Sequence, residues 1–171
     1  MFILETERLL FRSHEPTDLE AYCAIEADAE FRRYVGGAPR SREDAERKFR
    51  NTHLKAGDSK LALHATIYKP EQRYIGYCGI YPHFSPSGPP ILNEGTLAYY
   101  IARPYWGQGL ATEAAQAFLG YGFNELKLKR IVASVQQGND ASQHILQKLG
   151  FELTSTEQGS RTYLHFALAH R

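Results

Sequence analysis

The chain is poor in cysteine and carries almost no net charge. Its only two cysteines, Cys23 and Cys78, form neither a disulfide framework nor a metal-ligand pattern, so we expect a reduced, cytoplasmic setting without a metal. Because 20 basic residues face 19 acidic ones in 171 residues, no global field attracts nucleic acid. No apolar run approaches the ~20 residues that span a bilayer. Neither nucleic acid nor membrane is therefore an expected partner.

Hydrophobic residues make up 43% of the chain, enough for one buried core, so residues 1–171 are predicted to form one domain. Periodicity predicts seven strands, near residues 9–11, 61–68, 74–80, 97–102, 131–135, 151–156 and 162–169. Four helices are predicted near residues 16–26, 41–57, 110–125 and 139–149. This order predicts an α/β (α+β) fold with a mixed, mostly antiparallel sheet. A right-handed crossover makes the strands around the third helix parallel.

A glycine turn, Pro104 to Thr112, separates the strand near residues 97–102 from the third helix. The first N–H groups of a helix have no intrahelical partner and the helix dipole is positive there, so an anion binds favourably. Because Gly107 and Gly109 lack Cβ atoms, a phosphate can approach their amides closely. The turn is therefore predicted to bind a phosphate group.

The spacing of the turn distinguishes three kinds of phosphate site. A P-loop requires a Gly-Lys-Ser/Thr string that is absent from the chain. A dinucleotide loop requires a small residue where Thr112 stands, and an acidic residue about 20 positions further on. Residues 128–132 are instead basic and apolar, and the turn lies past mid-chain. A dinucleotide site is therefore disfavoured.

The third kind is indicated by a resemblance. The pattern Gly107-x-Gly109-x-Ala111, with Asn139 opening the next helix and Gly150-Phe151 closing it, resembles the GCN5-related N-acetyltransferase (GNAT) superfamily. The runs Glu5-Thr6-Glu7-Arg8-Leu9-Leu10 and Tyr105-Trp106-Gly107-Gln108-Gly109-Leu110-Ala111-Thr112-Glu113-Ala114 are similar to its RimJ/RimL-type branch, which acetylates the N-termini of ribosomal proteins. The resemblance covers residues 6–168.

The resemblance implies a splayed pair of parallel strands that admits the pantetheine arm of acetyl-CoA, with no metal. It assigns three groups of cofactor contacts. The backbone of the strand end would bind the arm, the turn would bind the pyrophosphate, and the helix start would contact the arm from the other side. These residues are Tyr100, Ile101 and Ala102; Trp106, Gly107, Gln108, Gly109, Leu110, Ala111 and Thr112; and Asn139. Trp106 stands where the general signature has Gln or Arg, and Asn139 also suits a helix N-cap.

Two catalytic residues are predicted. Many relatives place a tyrosine acid on the short helix, where this chain has Leu146, so Ser142 is the candidate donor to the leaving thiolate. Glu94 is the candidate for orienting a water as base, with His83 as another. An α-amine with a pKa of about 8 loses its proton near neutral pH with little help from a base, whereas a lysine with a pKa of about 10.4 needs more help. Residues 82–90, rich in Pro, Gly and Ser, are predicted to form a loop, and in the family this loop and the one at 32–40 flank the acceptor.

The resemblance therefore implies an acetyl-CoA-dependent N-acetyltransferase that acts by direct attack of a primary amine on the thioester. The amine is a protein N-terminal α-amine or a small molecule, and the chain is a monomer or a homodimer. The alternative is a non-catalytic acyl-CoA-binding or sensor module, motivated by Leu146 in place of the tyrosine acid.

Overall fold

Eight strands form one mixed sheet in the computed structural model, which describes residues 1–171. The strands are β1 (Ile3–Glu5), β2 (Leu9–Arg12), β3 (Ala62–Tyr68), β4 (Arg73–Phe84), β5 (Pro90–Ile101), β6 (Arg130–Gln136), β7 (Glu152–Glu157) and β8 (Tyr163–Ala169). Their order in the sheet is β1-β2-β3-β4-β5-β6-β8-β7. Only β5 and β6 pair in parallel, and every other neighbouring pair is antiparallel. The predicted mixed, mostly antiparallel sheet is confirmed.

Five helices cover the two faces of the sheet. They are α1 (Leu19–Glu26), α2 (Ala29–Arg32), α3 (Arg42–Lys48), α4 (Leu110–Asn124) and α5 (Asp140–Lys148). A smaller core cluster beneath α1 to α3 contains Tyr22, Phe31, Phe49 and Tyr77. The larger cluster joins α4 and α5 to the sheet. None of the helices has the length and apolar character required to cross a bilayer.

Helix α4 packs closely on the sheet because its apolar residues recur at helical spacing. Ala114, Ala115 and Phe118 are each at most 1% exposed. A Cβ atom at Gly122 would lie 2.7 Å from Ile80 Cδ1, so a glycine is required for this close approach. The helix holds the end of β5, and hence the glycine turn, against the core.

Three details differ from the sequence prediction. Strand β1 and helix α2 were not predicted, since three and four residues are too short to show a periodicity. Helix α3 continues as a π-helix (Phe49–Leu54) rather than as one α-helix. The predicted loop from 82 to 90 is wrong at both ends, because Pro82 pairs with Gly95 and Phe84 with Pro90. A register shift between Pro82 and Phe84 accommodates proline in the strand.

Strands β5 and β6 pair over three residues only. Residues 94–96 of β5 pair with residues 130–132 of β6, and no further pairing follows. Beyond this point β5 continues to Ile101 and β6 to Gln136, while β6 stays paired with β8 along its whole length. The two parallel strands therefore diverge at their carboxyl ends and leave a gap in the sheet.

Candidate active site

The gap between β5 and β6 is a cleft of about 290 Å³. Residues 96–100 form one wall, residues 133–136 form the other, and Asn139, Ser142 and Leu146 of the α5 region close one side. Beyond Thr96, the edge of β5 that faces the cleft has no partner strand. Its backbone polar groups are therefore available to an extended ligand, which can complete the sheet as an added strand.

The glycine turn follows β5 at the end where the strands diverge. Gly107 and Gly109 have φ values of 73° and 78°, in the left-handed region that favours glycine. Gly109 is the N-cap of α4, which begins at Leu110. The free N–H groups of the first turn of a 15-residue helix therefore follow a turn in which two glycines leave the backbone uncovered.

A network of hydrogen bonds anchors this turn to the segment between β1 and β2. Arg8 Nη1 donates to the carbonyl of Gln108 at 2.9 Å. Glu113, in the first turn of α4, accepts from Thr6 Oγ1 at 2.5 Å, from the Arg8 amide at 2.9 Å and from Arg8 Nε at 2.7 Å. Burial alone raises the pKa of Glu113, but the hydrogen bonds from Thr6 and Arg8 outweigh it and lower the pKa. The sequence run around Thr6 and Arg8 thus holds the turn in place, a role that sequence reasoning missed.

Trp106 lies at the edge of the turn. Its indole N–H donates to the carbonyl of Ile101 at 2.7 Å, while the residue stays 48% exposed. The indole therefore fixes the path of the chain between β5 and the turn and leaves an aromatic surface open to a ligand.

The backbone groups at the end of β5 point alternately to β4 and to the cleft. The Ala102 amide donates to the Ile75 carbonyl, so Ala102 faces β4. The Tyr100 carbonyl also faces β4, where a Cβ atom on Gly76 would lie 1.9 Å from it. Since neighbouring residues of a strand direct their backbone groups to opposite edges, Tyr99 and Ile101 face the cleft. The backbone groups of Tyr100 and Ala102 thus point to β4, and their role as backbone ligands of the arm stays a prediction.

Helix α5 places two polar side chains in the cleft. Asn139 is the N-cap, since its side chain accepts from the Ser142 amide at 3.3 Å. The Nδ2 group of Asn139 has no partner in the protein. The Ser142 Oγ atom lies 2.9 Å from the hydroxyl of Tyr99, which also donates to the Ser142 carbonyl at 3.2 Å.

The Tyr99 hydroxyl is protonated at neutral pH. Burial raises the pKa of Tyr99 to about 12, although the hydrogen bond with Ser142 acts in the opposite direction. Leu146, where the resemblance implies a tyrosine, is fully buried and lines the same cleft. The cleft nevertheless contains a phenol, that of Tyr99 on β5, which is hydrogen-bonded to Ser142.

The structure does not bring Glu94 to the same place. Glu94 lies inside β5, in the paired segment, and lines neither this cleft nor its neighbouring cavity. Arg130 Nη1 lies 3.2 and 3.0 Å from its two carboxylate oxygens, and His83 Nε2 is 3.8 Å away. The ion pair with Arg130 competes with any role as a base, and that role stays a prediction.

Comparisons with known proteins decide the family. Residues 8–152 match the model of the acetyltransferase (GNAT) domain. This chain belongs to the GNAT acetyltransferase family. The predicted resemblance and the enzyme class, an N-acetyltransferase, are confirmed.

Similar GNAT proteins cover nearly the whole chain. The uncharacterized N-acetyltransferase p20 of Bacillus licheniformis is 30% identical over 156 residues, covering 89% of this chain and 83% of its own. A GNAT acetyltransferase from Bacillus anthracis superposes with a TM-score of 0.84 at 24% identity, covering 98% of both chains. RimL, a ribosomal L7/L12 α-N-protein acetyltransferase solved with coenzyme A, superposes with a TM-score of 0.80 at 13% identity, also over 98% of both chains. The two structural matches show the shared fold.

The GNAT domain has a second cavity on the opposite side of β5, with a volume of about 510 Å³. The segment after α2, the π-helix after α3, and strands β3 and β4 form its walls. Val35, Gly36, Tyr81 and Tyr100 line both this cavity and the cleft, so the two adjoin. Parts of both predicted acceptor-flanking segments, 32–40 and 82–90, line this cavity, whereas the contribution of the π-helix was missed.

Proposed function

We propose that this chain transfers the acetyl group of acetyl-CoA to a primary amine, either a protein N-terminal α-amine or a small-molecule amine. One observation carries the proposal: the gap between β5 and β6 leads from an anion-binding glycine turn to the Tyr99–Ser142 pair and adjoins a second cavity. A two-substrate transfer requires a donor site and an acceptor site that meet at the reacting atoms.

The chain fits coenzyme A at two places. The amides of residues 108–112, at the start of α4, would bind the pyrophosphate, and nothing lies within 4 Å of a Cβ built on Gly107. Ile101 and Tyr99 would bind the pantetheine amides through their backbone, and the free Nδ2 group of Asn139 would contact the arm from α5. Trp106, Gln108, Leu110, Ala111 and Thr112 complete the predicted donor contacts.

Transfer requires a nucleophile and a proton donor. The neutral amine nitrogen attacks the thioester carbonyl carbon, the C–S bond breaks, and the thiolate takes a proton from the Ser142 hydroxyl. Tyr99 donates its own proton to Ser142, which restores that hydroxyl, and Tyr99 recovers a proton from solvent, which receives the proton that the amine loses. The amine loses its proton to water, for which an α-amine with a pKa of about 8 needs little assistance at neutral pH. Glu94 remains the predicted residue for orienting that water.

The experiment combines calorimetric binding of acetyl-CoA with thiol release in the presence of a panel of amines. We expect binding and amine-dependent thiol release. If acetyl-CoA binds but no amine raises thiol release above buffer, the chain is an acyl-CoA sensor and the enzyme proposal is refuted.

Ser142→Ala tests the acid. We expect kcat to fall about 100-fold, at the lower end of the usual range of about 10²- to 10⁴-fold for acid catalysis, while the affinity for acetyl-CoA changes less than about twofold. Tyr99→Phe should lower kcat by a smaller factor. Ser155→Ala, on the exposed strand β7, is the matched control. A wild-type kcat in Ser142→Ala would remove Ser142 from the mechanism.

A further inference from the structure

The ionised side chains that line the second cavity are all basic. Arg32, Arg40 and Lys48 line it, and no aspartate or glutamate does. Its remaining walls are mainly apolar and aromatic. A volume of about 510 Å³ falls within the range of small-molecule sites, which is about 300–1,000 Å³.

One carboxylate behind the wall balances only part of this charge. Glu26 is fully buried and accepts from Arg32 Nη1 at 3.2 Å, from Arg40 Nε at 2.6 Å and from the Tyr77 hydroxyl. Lys48 has no ion pair within 4.0 Å, and its pKa is lowered by burial and by the nearby Arg40 and Arg32, against the opposing effect of Glu26. Three cations therefore share one anion, and the cavity keeps an excess of positive charge.

Several donors in the cavity remain free. Arg40 uses only Nε toward Glu26, so both of its terminal nitrogens lack a protein partner. The Lys48 ammonium also has none. His53, 2% exposed, lines the same cavity, and its buried Nε2 has no hydrogen-bond partner. Buried polar groups are normally paired, so the unpartnered His53 Nε2 points to a polar ligand in the cavity, for which Arg40 and Lys48 provide free cationic donors.

We infer that the acceptor is a small amine that carries a carboxylate or phosphate group, bound by Arg40 and Lys48. The inference rests on the proposed acetyl transfer. The amine end would lie toward Tyr81 and Tyr100, where the cavity meets the donor cleft.

The same charges favour the reaction and restrict the substrate. Positive groups near an ammonium favour its deprotonated form, which is the form that attacks. A carboxylate or phosphate anchors the molecule through charge-assisted hydrogen bonds. A polyamine meets only repulsion. E. coli spermidine N(1)-acetyltransferase is 42% identical over 53 residues, just 31% of this chain, and we expect its named substrate to be rejected here.

The test compares pairs of amines in which one member carries an anionic group and the other does not. The pairs are an amino acid with its carboxamide and phosphoethanolamine with ethanolamine, and spermidine is the cationic amine. Conversion to the carboxamide lowers the pKa of the amine and so raises the fraction of it that is deprotonated at neutral pH, so a preference for the acid must come from binding of its carboxylate. We expect kcat/KM to be at least about tenfold higher for the anionic member of each pair.

Lys48→Met and its control test whether the cavity residues produce the preference for anionic amines. Lys48→Met should reduce the anionic preference at least about threefold, whereas Lys55→Met, an exposed lysine outside the cavity with the same change of charge, should leave it unchanged. An unchanged preference in Lys48→Met, with Arg40→Gln also without effect, overturns the assignment. Thermal unfolding of each variant checks that the chain still folds.

The outcomes separate this inference from the proposed function. Equal or better turnover of neutral amines or spermidine overturns the inference and leaves acetyl transfer intact. Turnover of peptides alone, among peptides and small amines tested together, also overturns it. If no amine is acetylated, the proposed function fails, and calorimetric binding of the same pairs to the protein with acetyl-CoA decides the inference. Preferential binding of the anionic members then supports it, and the absence of a preference overturns it.

Discussion

The contact between Glu113 and Arg8 offers a sharp test of how the glycine turn is held. In Glu113→Gln the amide oxygen can still accept from Thr6 Oγ1 and from the Arg8 amide, since both donate to one carboxylate oxygen. The second oxygen, which accepts from Arg8 Nε at 2.7 Å, is replaced by an NH₂ group. The Arg8 guanidinium then faces a donor instead of an acceptor. Because Glu113 no longer fixes the guanidinium, its hydrogen bond to the Gln108 carbonyl is also weakened.

The size of the effect follows from these bonds. Loss of one charge-assisted hydrogen bond costs about 1.5–3 kcal/mol, and the pair is only partly exposed. Removal of a negative charge from the first turn of α4 adds a few tenths of a kcal/mol to about 1 kcal/mol. We expect a loss of about 2–4 kcal/mol at pH 7. For a chain of this size that lowers the melting temperature by roughly 4–16 °C.

The pH dependence identifies the cause. The folded-state pKa of Glu113 lies below its ordinary value of 4.5, so its contribution is complete above that value and is lost as the pH falls through the folded pKa. The free energies of unfolding in urea of the wild type and of Glu113→Gln should therefore differ at pH 7, and the difference should shrink as the pH falls through the lowered folded-state pKa of Glu113. Glu125→Gln, at the other end of α4, is the control and should be neutral. A difference below about 0.5 kcal/mol, or one independent of pH, would refute the reasoning.

Two further predictions concern the turn and the core. Gly109→Val should weaken acetyl-CoA binding at least tenfold, because a β-branched residue is strained at φ 78° and its side chain obstructs the amides; unchanged affinity by calorimetry would show that the phosphate binds elsewhere. Three buried histidines, His14, His53 and His64, have pKa values lowered by burial to about 3, 3 and 4. As the pH falls, these histidines therefore take up protons in the unfolded chain before they do so in the folded chain. The free energy of unfolding, measured in urea, should fall by about 1 kcal/mol per histidine between pH 7 and 5.5, and a flat profile would contradict this.

Local patterns predicted most of the fold. The alternation of Leu9 and Phe11, both fully buried, marks β2, and the helical spacing of Ala114 and Phe118 marks α4. Boundaries failed where pairing across the sheet overrides local preference. Pro82 suggests a loop in the sequence, but the partner strand keeps it in β4.

The residues of the site likewise fall into those that local sequence predicted and those that it did not. Gly109, Asn139 and Ser142 were predicted because each lies at a helix start, where local sequence determines the conformation. The partner of Ser142 is Tyr99, which is 43 positions away, and the anchor of Glu113 at Thr6 is 107 positions away. Such pairs depend on the packing of distant elements, which no local pattern in one sequence reports.

The direct test of the account is the crystal structure of the protein with acetyl-CoA. We predict the pyrophosphate on the amides of residues 108–112 and the pantetheine arm between β5 and β6. The thioester sulfur should lie within hydrogen-bond reach of the Ser142 hydroxyl, with the acetyl group directed toward Tyr81 and Tyr100. A pyrophosphate bound away from the glycine turn, or an arm outside the gap between β5 and β6, would contradict the account.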